Sequence, residues 1–323
     1  MTDKGNLPNK QLTLAVAPHI AWMPWYLADE ENLFQQIKQT VDIQFVSANY
    51  QETIDNFLTE EVHAIAISNI DAIAQLVKRE IEADVILITN ESSGNEAILL
   101  PNEVDTNVHS LRGKNFALVK YSSRHYLLDR YLIRNQIPFE EINILNTREV
   151  NISQAFTKKE VYGVVTSNPN LYKLTSTTQA KTLFDSRQIP GEIFDLLVVQ
   201  RETLLDYPDF AQVLLATWFS VMERLQGYKK GPTLDAMASL AKVTRQAYEK
   251  QLATISLKDS PAKALSTIRD RRTRKTMRHI SYFIERHGLI GDDIFTDSWV
   301  SYPGRSPALL HFNGQPLQQL IAP

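Results

Sequence analysis

The sequence contains no cysteine, and only 11 of its 323 residues are glycine. The absence of Cys excludes disulfide bonds, thiolate zinc sites, iron–sulfur clusters and cysteine nucleophiles. Glycine at about half its usual share of ~7% argues against Gly-rich phosphate-binding loops. No stretch approaches the ~18 consecutive apolar residues of a membrane-spanning helix, and the seven His residues show no metal-ligand spacing. We therefore expect no cofactor, no bound metal and no membrane insertion of this chain.

Charge and composition limit the class of protein. The chain carries 34 Lys and Arg residues against 37 Asp and Glu residues, a formal net charge of −3. That near balance argues against a general polyanion binder, so we interpret the basic run Arg269–Arg278 as a solvated helix face and expect no nucleic-acid partner. Hydrophobic residues make up 43% of the sequence, enough for a sizeable core. A chain of 323 residues suggests two domains, at ~150 residues each.

Short apolar runs alternate with helical patterns up to about Arg201. Most of the runs are rich in Val, Ile and Leu, which is typical of strands covered on both faces. Strands that alternate with helices indicate an α/β protein whose sheet is mostly parallel and has helices on both faces. The predicted strands are Leu12–Val16, Ile43–Val46, Ala64–Ile67, Val85–Ile88, Ala97–Leu100, Phe116–Val119, Ile142–Leu145, Val161–Val165 and Leu196–Val199.

Long helical periods dominate after Arg201, and Gly288 then stands at the position of a helix C-cap. The tail after Asp297 contains several Pro and Gly residues and is predicted to be irregular structure on the surface. The predicted helices include Ile54–Leu58, Asp71–Lys78, His125–Arg134, Ser153–Lys158, Pro208–Gln226, Thr233–Ala241, Thr244–Thr254 and Arg271–His287.

The first ten residues are polar and lack the apolar core of a signal peptide. The sequence is therefore consistent with a cytoplasmic protein, or with a mature chain from which an export signal has been removed.

Three stretches together resemble one family: a strand, aromatic loop and helix; a strand-to-helix turn; and a Leu-Arg-Gly-Lys segment with a strand and a Ser-led helix. They are Leu12–Phe34, Ala64–Ile73 and Ser110–Leu128. In this order they resemble nitrate/sulfonate/taurine-type ABC-transporter substrate-binding proteins. Further segments resemble a subgroup whose genes lie beside urea-carboxylase-type enzymes that are thought to act on guanidine. These segments are Ser92–Glu96, Thr166–Pro169 and Gln188–Asp195.

The resemblance implies the type II periplasmic-binding fold, in which two α/β lobes enclose a ligand cleft. Lobe 1 would comprise residues 1–97 and 195–323 with the helical block on it, and lobe 2 residues 98–194. The crossings would fall near Asn95–Leu100 and Pro190–Leu196. The implied function is the solute-binding component of an ABC importer that closes around a guanidine- or urea-like solute. The implied partners are that small-molecule solute and ABC permease subunits, and the implied form is a monomer in the periplasm.

Candidate binding residues follow predicted strands or flank the crossings, because ligands in open α/β sheets lie at the carboxyl ends of strands and at helix N-termini. They are Trp22, Trp25, Asn69, Asn95, Glu96, Ser122, Ser123, Asn168, Glu192 and Asp195. The indole rings could stack on a flat solute or contact a cation. Each candidate has an ordinary structural alternative: core packing for Trp, helix capping for Ser and Asn, and ion pairing or solvent exposure for the carboxylates. We expect four of them to converge on one cleft, namely Trp22, Asn69, Ser122 and Asn168.

The acidic candidates bear on the charge of the cargo. Glu96, Glu192 and Asp195 would lie near one cleft, and crowded anions are unfavourable unless a cation or a proton joins them. This predicts that guanidine or a similar cation binds better than taurine or nitrate. Ser167 stands where the family pattern often has Trp, so the identity of the cargo stays open.

Two other functions remain open from the sequence. Thiamine-pyrimidine synthases share the fold and resemble the first third of the chain, but they use a Cys-rich segment that is absent here. No Ser-His-Asp pattern is recognisable either. A cytoplasmic ligand-sensing or interaction protein derived from the same fold is the other alternative. An export signal or lipobox upstream would favour transport.

Overall fold

The computed structural model describes residues 10–37, 41–178, 180–289, 300–301 and 308–322. Within these residues, two β-sheets form the centre of the molecule and helices cover them. The strands, in chain order, are β1 (Lys10–Val16), β2 (Val41–Ser47), β3 (Ala64–Ser68), β4 (Ala83–Ser92), β5 (Glu96–Pro101), β6 (Asn115–Leu118), β7 (Asn143–Asn146), β8 (Gly163–Ser167), β9 (Ala180–Asp185), β10 (Phe194–Gln200), β11 (Ile255–Leu257), β12 (Val300–Ser301) and β13 (Leu310–Phe312).

Sheet 1 has the strand order β12-β13-β4-β10-β3-β1-β2, with β11 paired to β4. Strand β1 is parallel to β2 and β3, and every residue of β3 is buried, as expected for a strand covered on both faces. Strand β10 is antiparallel to both of its neighbours, β3 and β4. The sheet is therefore mixed, because β10 enters it from the second sheet and runs against the direction of the strands beside it.

Sheet 2 has the strand order β7-β6-β8-β5-β9. Strand β6 is parallel to β7 and β8, whereas β5 is antiparallel to β8 and β9. The chain passes from sheet 1 to sheet 2 between Ser92 and Glu96 and returns between Asp185 and Phe194. Lobe 1 and lobe 2 denote below the layers around sheet 1 and sheet 2, and the boundaries at residues 97/98 and 194/195 stay a prediction.

Helices follow most of the strands. They are α1 (Met23–Glu30), α2 (Leu33–Gln36), α3 (Tyr50–Leu58), α4 (Asn69–Asp71), α5 (Ser123–Arg134), α6 (Glu149–Thr157), α7 (Asn170–Thr177), α8 (Arg201–Asp206), α9 (Asp209–Gln226), α10 (Lys230–Leu240), α11 (Arg245–Leu252), α12 (Pro261–Arg269), α13 (Arg271–Arg286) and α14 (Gln315–Ile321). A π-helical turn, Ala72–Leu76, continues α4 and is followed by a 3-10 turn, Val77–Arg79. The regular helix expected over Asp71–Lys78 is thus divided into three short pieces.

The C-terminal helices pack mainly against lobe 1. Helices α9 and α10 contact α1, and α12 contacts β4, whereas α13 contacts both the π-helical turn of lobe 1 and α5 of lobe 2. The prediction of an irregular tail is wrong for its described part, because β13 pairs with β4 and α14 follows it. Leu310, Phe312 and Leu317 are fully buried there, so their apolar side chains complete the edge of sheet 1. Residues 302–307 of the tail lie outside the described residues.

Two helix starts bring polar groups into the space between the sheets. Ser68 Oγ accepts a hydrogen bond from the backbone N–H of Asp71 at 3.1 Å, and Ser122 Oγ accepts one from the N–H of Arg124 at 3.3 Å. Both serines are N-caps, which end a strand segment and begin a helix. Since α4 belongs to lobe 1 and packs against α5 of lobe 2, the two capped turns meet across the cleft.

Candidate functional site

A cluster of charged side chains lies where the two lobes meet. Its members, which we call the cleft cluster, are Asp71, Glu96, Arg124, Glu149 and Asp195. Asp71 and Asp195 come from lobe 1, Glu96 is the first residue of the strand that enters sheet 2, and Arg124 and Glu149 open helices of lobe 2. Within the described residues the cluster contains four carboxylates and one guanidinium.

Arg124 is the cation of the cluster, and 19% of its side chain is exposed. One terminal nitrogen, Nη2, donates to Ser167 Oγ at 2.6 Å, and Nη1 lies 3.4 Å from Ser123 Oγ. The Nε of Arg124 is buried, lies 3.6 Å from Glu149 Oε2 and makes no hydrogen bond. Burial alone would lower the pKa of Arg124, but the charges of Glu149, Glu96 and Asp71 outweigh it and raise that pKa. The guanidinium is therefore charged at every pH at which the protein is folded.

Asp71 is held from two sides in lobe 1. Ser68 Oγ donates to Asp71 Oδ2 at 2.7 Å, and the Tyr50 hydroxyl donates to the same oxygen at 2.8 Å. Burial raises the pKa of Asp71, and the two hydrogen bonds and the charge of Arg124 oppose that rise. The carboxylate is thus anchored at the start of α4, and its second oxygen makes no hydrogen bond in the described residues.

Glu96 lies at the first crossing and is buried. Ser92 Oγ donates to Glu96 Oε2, and Asn95 Nδ2 donates to Glu96 Oε1 at 3.1 Å. Ser92 also contacts Ser186 Oγ at 2.6 Å, so hydroxyl groups from both crossings support the carboxylate. Burial raises the pKa of Glu96, and the nearby charge of Arg124 opposes it. A second cation near Glu96 would therefore favour its ionised form.

Asp195 lies at the start of β10, on the return crossing. Asn90 Nδ2 donates to Asp195 Oδ2 at 2.9 Å. The residue keeps some exposed surface, but its carboxylate is surrounded by protein atoms, and burial raises its pKa to about 7. The charge of Glu96 adds to the rise, while Arg124 and the indole of Trp22 oppose it. Asp195 therefore titrates near neutral pH.

Trp22 forms an aromatic wall beside these carboxylates. Its ring is buried, and the ring centroids of His19 and Tyr50 lie 5.2 and 5.6 Å away. The indole N–H is close enough to Asp195 to lower the pKa of that carboxyl, yet it makes no hydrogen bond of ordinary geometry. Burial and the charge of Arg124 lower the pKa of His19 to about 4, so the imidazole is neutral at pH 7.

The sequence-predicted residues divide into two groups. Those in contact with the cleft cluster are Trp22, Asn95, Glu96, Ser123 and Asp195. Asn95 Oδ1 is moreover buried without a hydrogen-bond partner, which leaves an acceptor free beside Glu96. The other five predicted residues have structural partners of their own.

Asn69 and Asn168 use their amides inside the protein. Asn69 Nδ2 donates to the backbone oxygen of Glu192 at 3.0 Å, and its Oδ1 accepts from the N–H of Phe194 at 3.3 Å, so it fixes the return crossing. Asn168 Nδ2 donates to Thr254 Oγ1 at 3.0 Å and thereby joins lobe 2 to the C-terminal part of lobe 1. The expected convergence of four residues on one cleft therefore leaves Trp22 as the member in contact with the cluster.

Ser122, Glu192 and Trp25 have packing, pairing or capping roles. Ser122 caps α5 and donates to Val119 O at 2.7 Å. Glu192 accepts from Arg130 Nε at 2.6 Å and from the Tyr126 hydroxyl at 2.7 Å, so its charge is neutralised away from the cluster. The Trp25 ring is fully buried between Phe34 and Trp218, with centroids 6.4 and 5.1 Å away. Trp25 is thus a core residue of lobe 1, because it lies three residues after Trp22 and on the inner face of α1.

Sequence reasoning missed the central place of Arg124, Asp71 and Glu149. All three stand in the first turn of a helix that follows a strand, which is a usable signal, but only the packing of α4 against α5 brings two of them together. A surface groove lies elsewhere, between α9, α10 and α11, and its lining contains no residue of the cleft cluster. In the described part of the chain, no group of three or more His, Asp or Glu side chains is arranged to hold a metal ion. No helix among those residues is long and apolar enough to cross a bilayer.

Comparison with known families decides the relationship of the chain. The family model described as NMT1/THI5 like matches residues 19–217, which is more than half of the sequence. The chain belongs to the NMT1/THI5-like family. No functionally curated protein sequence matches it.

Solved structures show what fold this NMT1/THI5-like chain has. The periplasmic aliphatic sulphonate binding protein SsuA from Escherichia coli has a TM-score of 0.73 and 15% identity, over 88% of this chain and 94% of that chain. The alkanesulfonate-binding protein SsuA from Xanthomonas axonopodis pv. citri, bound to MOPS, has a TM-score of 0.71 and 16% identity, over 90% and 98%. The Candida albicans CA3427 gene product, which has the generic periplasmic binding protein fold, has a TM-score of 0.69 and 13% identity, over 90% and 93%. The chain has the periplasmic-binding-protein fold, which confirms the α/β fold class predicted from the sequence.

Proposed function

We propose that the chain is the solute-binding component of an ABC importer. It binds a small nitrogenous cation of guanidine type between its lobes, and hinge closure presents the closed form to permease subunits outside the cytoplasm. The observation that carries the proposal is the composition of the cleft cluster, in which four carboxylates from both lobes surround one guanidinium.

The charge of the cleft cluster favours a cationic ligand. With all four carboxylates ionised, the cluster has an excess of three negative charges over Arg124. Burial raises the pKa values of Asp71, Glu96 and Asp195, which means that each is destabilised as an anion in the ligand-free protein. A bound cation relieves this destabilisation, whereas a bound anion adds to it.

The shape and hydrogen-bonding groups of the site suit a planar cation. A guanidinium donates parallel hydrogen bonds to a carboxylate, and the face of an indole attracts a cation. Glu96 and Asp195 supply carboxylates at the two crossings, and Trp22 supplies a buried aromatic ring beside them. The free acceptor of Asn95 provides a further partner for an N–H group.

A sulfonate-like ligand is the second candidate. The buried Nε of Arg124 has no hydrogen-bond acceptor, and an anionic oxygen could accept from it. Two structural relatives are named as sulfonate-binding proteins, and one of them is bound to MOPS. The four carboxylates around Arg124 argue against this candidate, because an oxyanion would enter a cluster that is already negative.

An enzymatic role is not part of the proposal. The NMT1/THI5-like family name also covers pyrimidine-forming enzymes, but the chain has no Cys residue for the Cys-rich segment that such enzymes use. The two histidines nearest to interlobe acidic groups are accounted for structurally. His19 is neutral beside Trp22, and His287 contacts Asp129 at 3.2 Å. A binding role needs none of these groups to react.

Thermal-shift measurements at pH 8 test the proposal. Guanidinium, methylguanidinium, urea, taurine and nitrate are compared at equal ionic strength, because a ligand that binds only the folded protein raises its melting temperature. We expect guanidinium-type cations to give the largest shift. Glu96→Gln should weaken guanidinium binding by roughly 2–5 kcal/mol, as for a buried charge that loses its partner.

The control variant is Glu103→Gln, whose side chain is 53% exposed and pairs with Lys159 at the surface. It should bind guanidinium as the wild type does. Stabilisation by taurine with none by guanidinium would contradict the proposed cargo and favour the sulfonate candidate. Equal binding by Glu96→Gln and the wild type would contradict the role of the first crossing.

A further inference from the structure

Arg124 stands in an unfavourable place for a cation. It is the second residue of α5, a helix of 12 residues, and its backbone N–H is held by the N-cap Ser122. The N-terminal end of a helix dipole is positive and disfavours a positive charge. The position therefore does not stabilise α5, and the side chain must be retained by interactions outside its own helix.

The guanidinium also uses few of its donors. It has five N–H groups, of which one makes a short bond to Ser167 Oγ and another a long bond to Ser123 Oγ. The buried Nε makes none and lies 3.6 Å from the nearest Glu149 oxygen. A guanidinium that is desolvated and only partly hydrogen-bonded is held mainly by the charges around it.

Those charges belong to both lobes. Glu149 lies on the same lobe as Arg124, whereas Asp71 and Asp195 lie on lobe 1 and Glu96 lies at the crossing. Each of the four carboxylates interacts electrostatically with Arg124. Without this side chain, the cluster would consist of carboxylates that repel one another across the cleft.

We propose that Arg124 is a resident guanidinium: in the ligand-free protein its side chain neutralises the carboxylates of the cleft, holds the two lobes together and competes with a cationic cargo. The inference rests on the proposed function for the identity of the cargo. The chemistry that recognises the side chain, namely carboxylates and serine hydroxyls beside an indole, is the chemistry that would recognise free guanidinium. Arg124 thereby sets the affinity and the selectivity of the cleft.

Small-angle X-ray scattering of the ligand-free protein tests the first part of the inference. Arg124→Ala should have a larger radius of gyration than the wild type at pH 8, because the facing carboxylates lose their common counter-ion. Arg112→Ala is the matched control, since Arg112 is 47% exposed and pairs with Glu141 on the surface of lobe 2. It should scatter as the wild type does. An unchanged radius in Arg124→Ala would overturn the inference.

Calorimetry with guanidinium chloride tests the second part, with sodium chloride added to equal ionic strength. Arg124→Ala should bind guanidinium about tenfold or more tightly than the wild type, a difference of about 1.4 kcal/mol, and guanidinium should restore the compact form. Arg124→Gln, which keeps a donor for Ser167 but no charge, should behave in the same direction and serves where the Ala variant does not fold. Equal or weaker guanidinium binding by both variants would overturn the inference.

The two proposals fail in different ways. If the wild type binds taurine and not guanidinium, the proposed cargo is wrong. The resident guanidinium is then still supported by an open, guanidinium-binding Arg124→Ala variant. If the wild type binds guanidinium and Arg124→Ala binds it less tightly, the proposed function stands and Arg124 is a positioning residue of the site. Loss of taurine binding in Arg124→Ala would overturn the inference and identify Arg124 as the anion-binding group.

Discussion

Replacing Asp195 with Asn should stabilise the ligand-free protein at alkaline pH and have little effect at acid pH. Burial raises the pKa of Asp195 from 3.8 to about 7. Between these two values the folded protein holds a proton that the unfolded chain has released. Stability from this group is therefore fully present below about pH 4, decreases as the pH rises towards 7, and stays low above it.

The magnitude follows from the shift. One pKa unit corresponds to about 1.36 kcal/mol, so a shift of about three units gives an upper limit of about 4 kcal/mol. Asp195 keeps some exposed surface and is coupled to Glu96, so we expect roughly 2–4 kcal/mol at pH 8. An Asn at this position retains the shape of the side chain and can still accept from Asn90 Nδ2, which now donates at 2.9 Å. It removes the buried charge and little else.

Urea denaturation of the ligand-free protein at pH 5 and pH 8 measures the effect. Asp195→Asn should be more stable than the wild type at pH 8 and close to it at pH 5. Asp206→Asn replaces an exposed carboxylate at the end of α8 and is the control, with no expected change at either pH. A variant that is equally stable or less stable than the wild type at both pH values would refute the reasoning about burial of Asp195.

Three further predictions separate structural residues from binding residues. Asn69→Ala should lower the free energy of unfolding by about 1–3 kcal/mol in urea denaturation, because two backbone groups of the return crossing lose their partners; an unchanged midpoint would contradict this. Glu192→Gln should lower stability by about 2 kcal/mol through the weakened bonds from Arg130 and leave guanidinium affinity unchanged, and a lost affinity would place it in the site after all. Trp25→Phe should lower the melting temperature without changing guanidinium affinity, whereas Trp22→Phe should weaken calorimetric guanidinium binding; the reverse pattern would exchange their roles.

The regular part of the fold was predictable because its strands are buried on both faces. Strands such as β3 and β10 are continuous runs of Val, Ile, Leu and Ala, and their burial matches that pattern. Strand β9, Ala180–Asp185, was missed because half of its residues are polar and it lies at the edge of sheet 2. Strand β13 was missed because it is three residues long, and its pairing with β4 depends on a contact distant in sequence.

The candidate site was predictable only where position along the chain suffices. Glu96 and Asp195 were found because each stands where the chain crosses between the sheets. The pairing of Glu192 with Arg130 could not be found, since it joins residues 62 positions apart whose approach is set by tertiary packing. For the same reason, the charge of Arg124 among four carboxylates became visible only once α4 and α5 were seen to pack together.

Isothermal titration calorimetry of the wild-type protein with guanidinium and with taurine, at pH 8 and equal ionic strength, tests most directly that the cleft binds a cation. The carboxylates of the cleft cluster predict saturable, one-to-one binding of guanidinium and binding of taurine that is weaker by at least about tenfold. Saturable binding of taurine that is tighter than that of guanidinium would contradict the account.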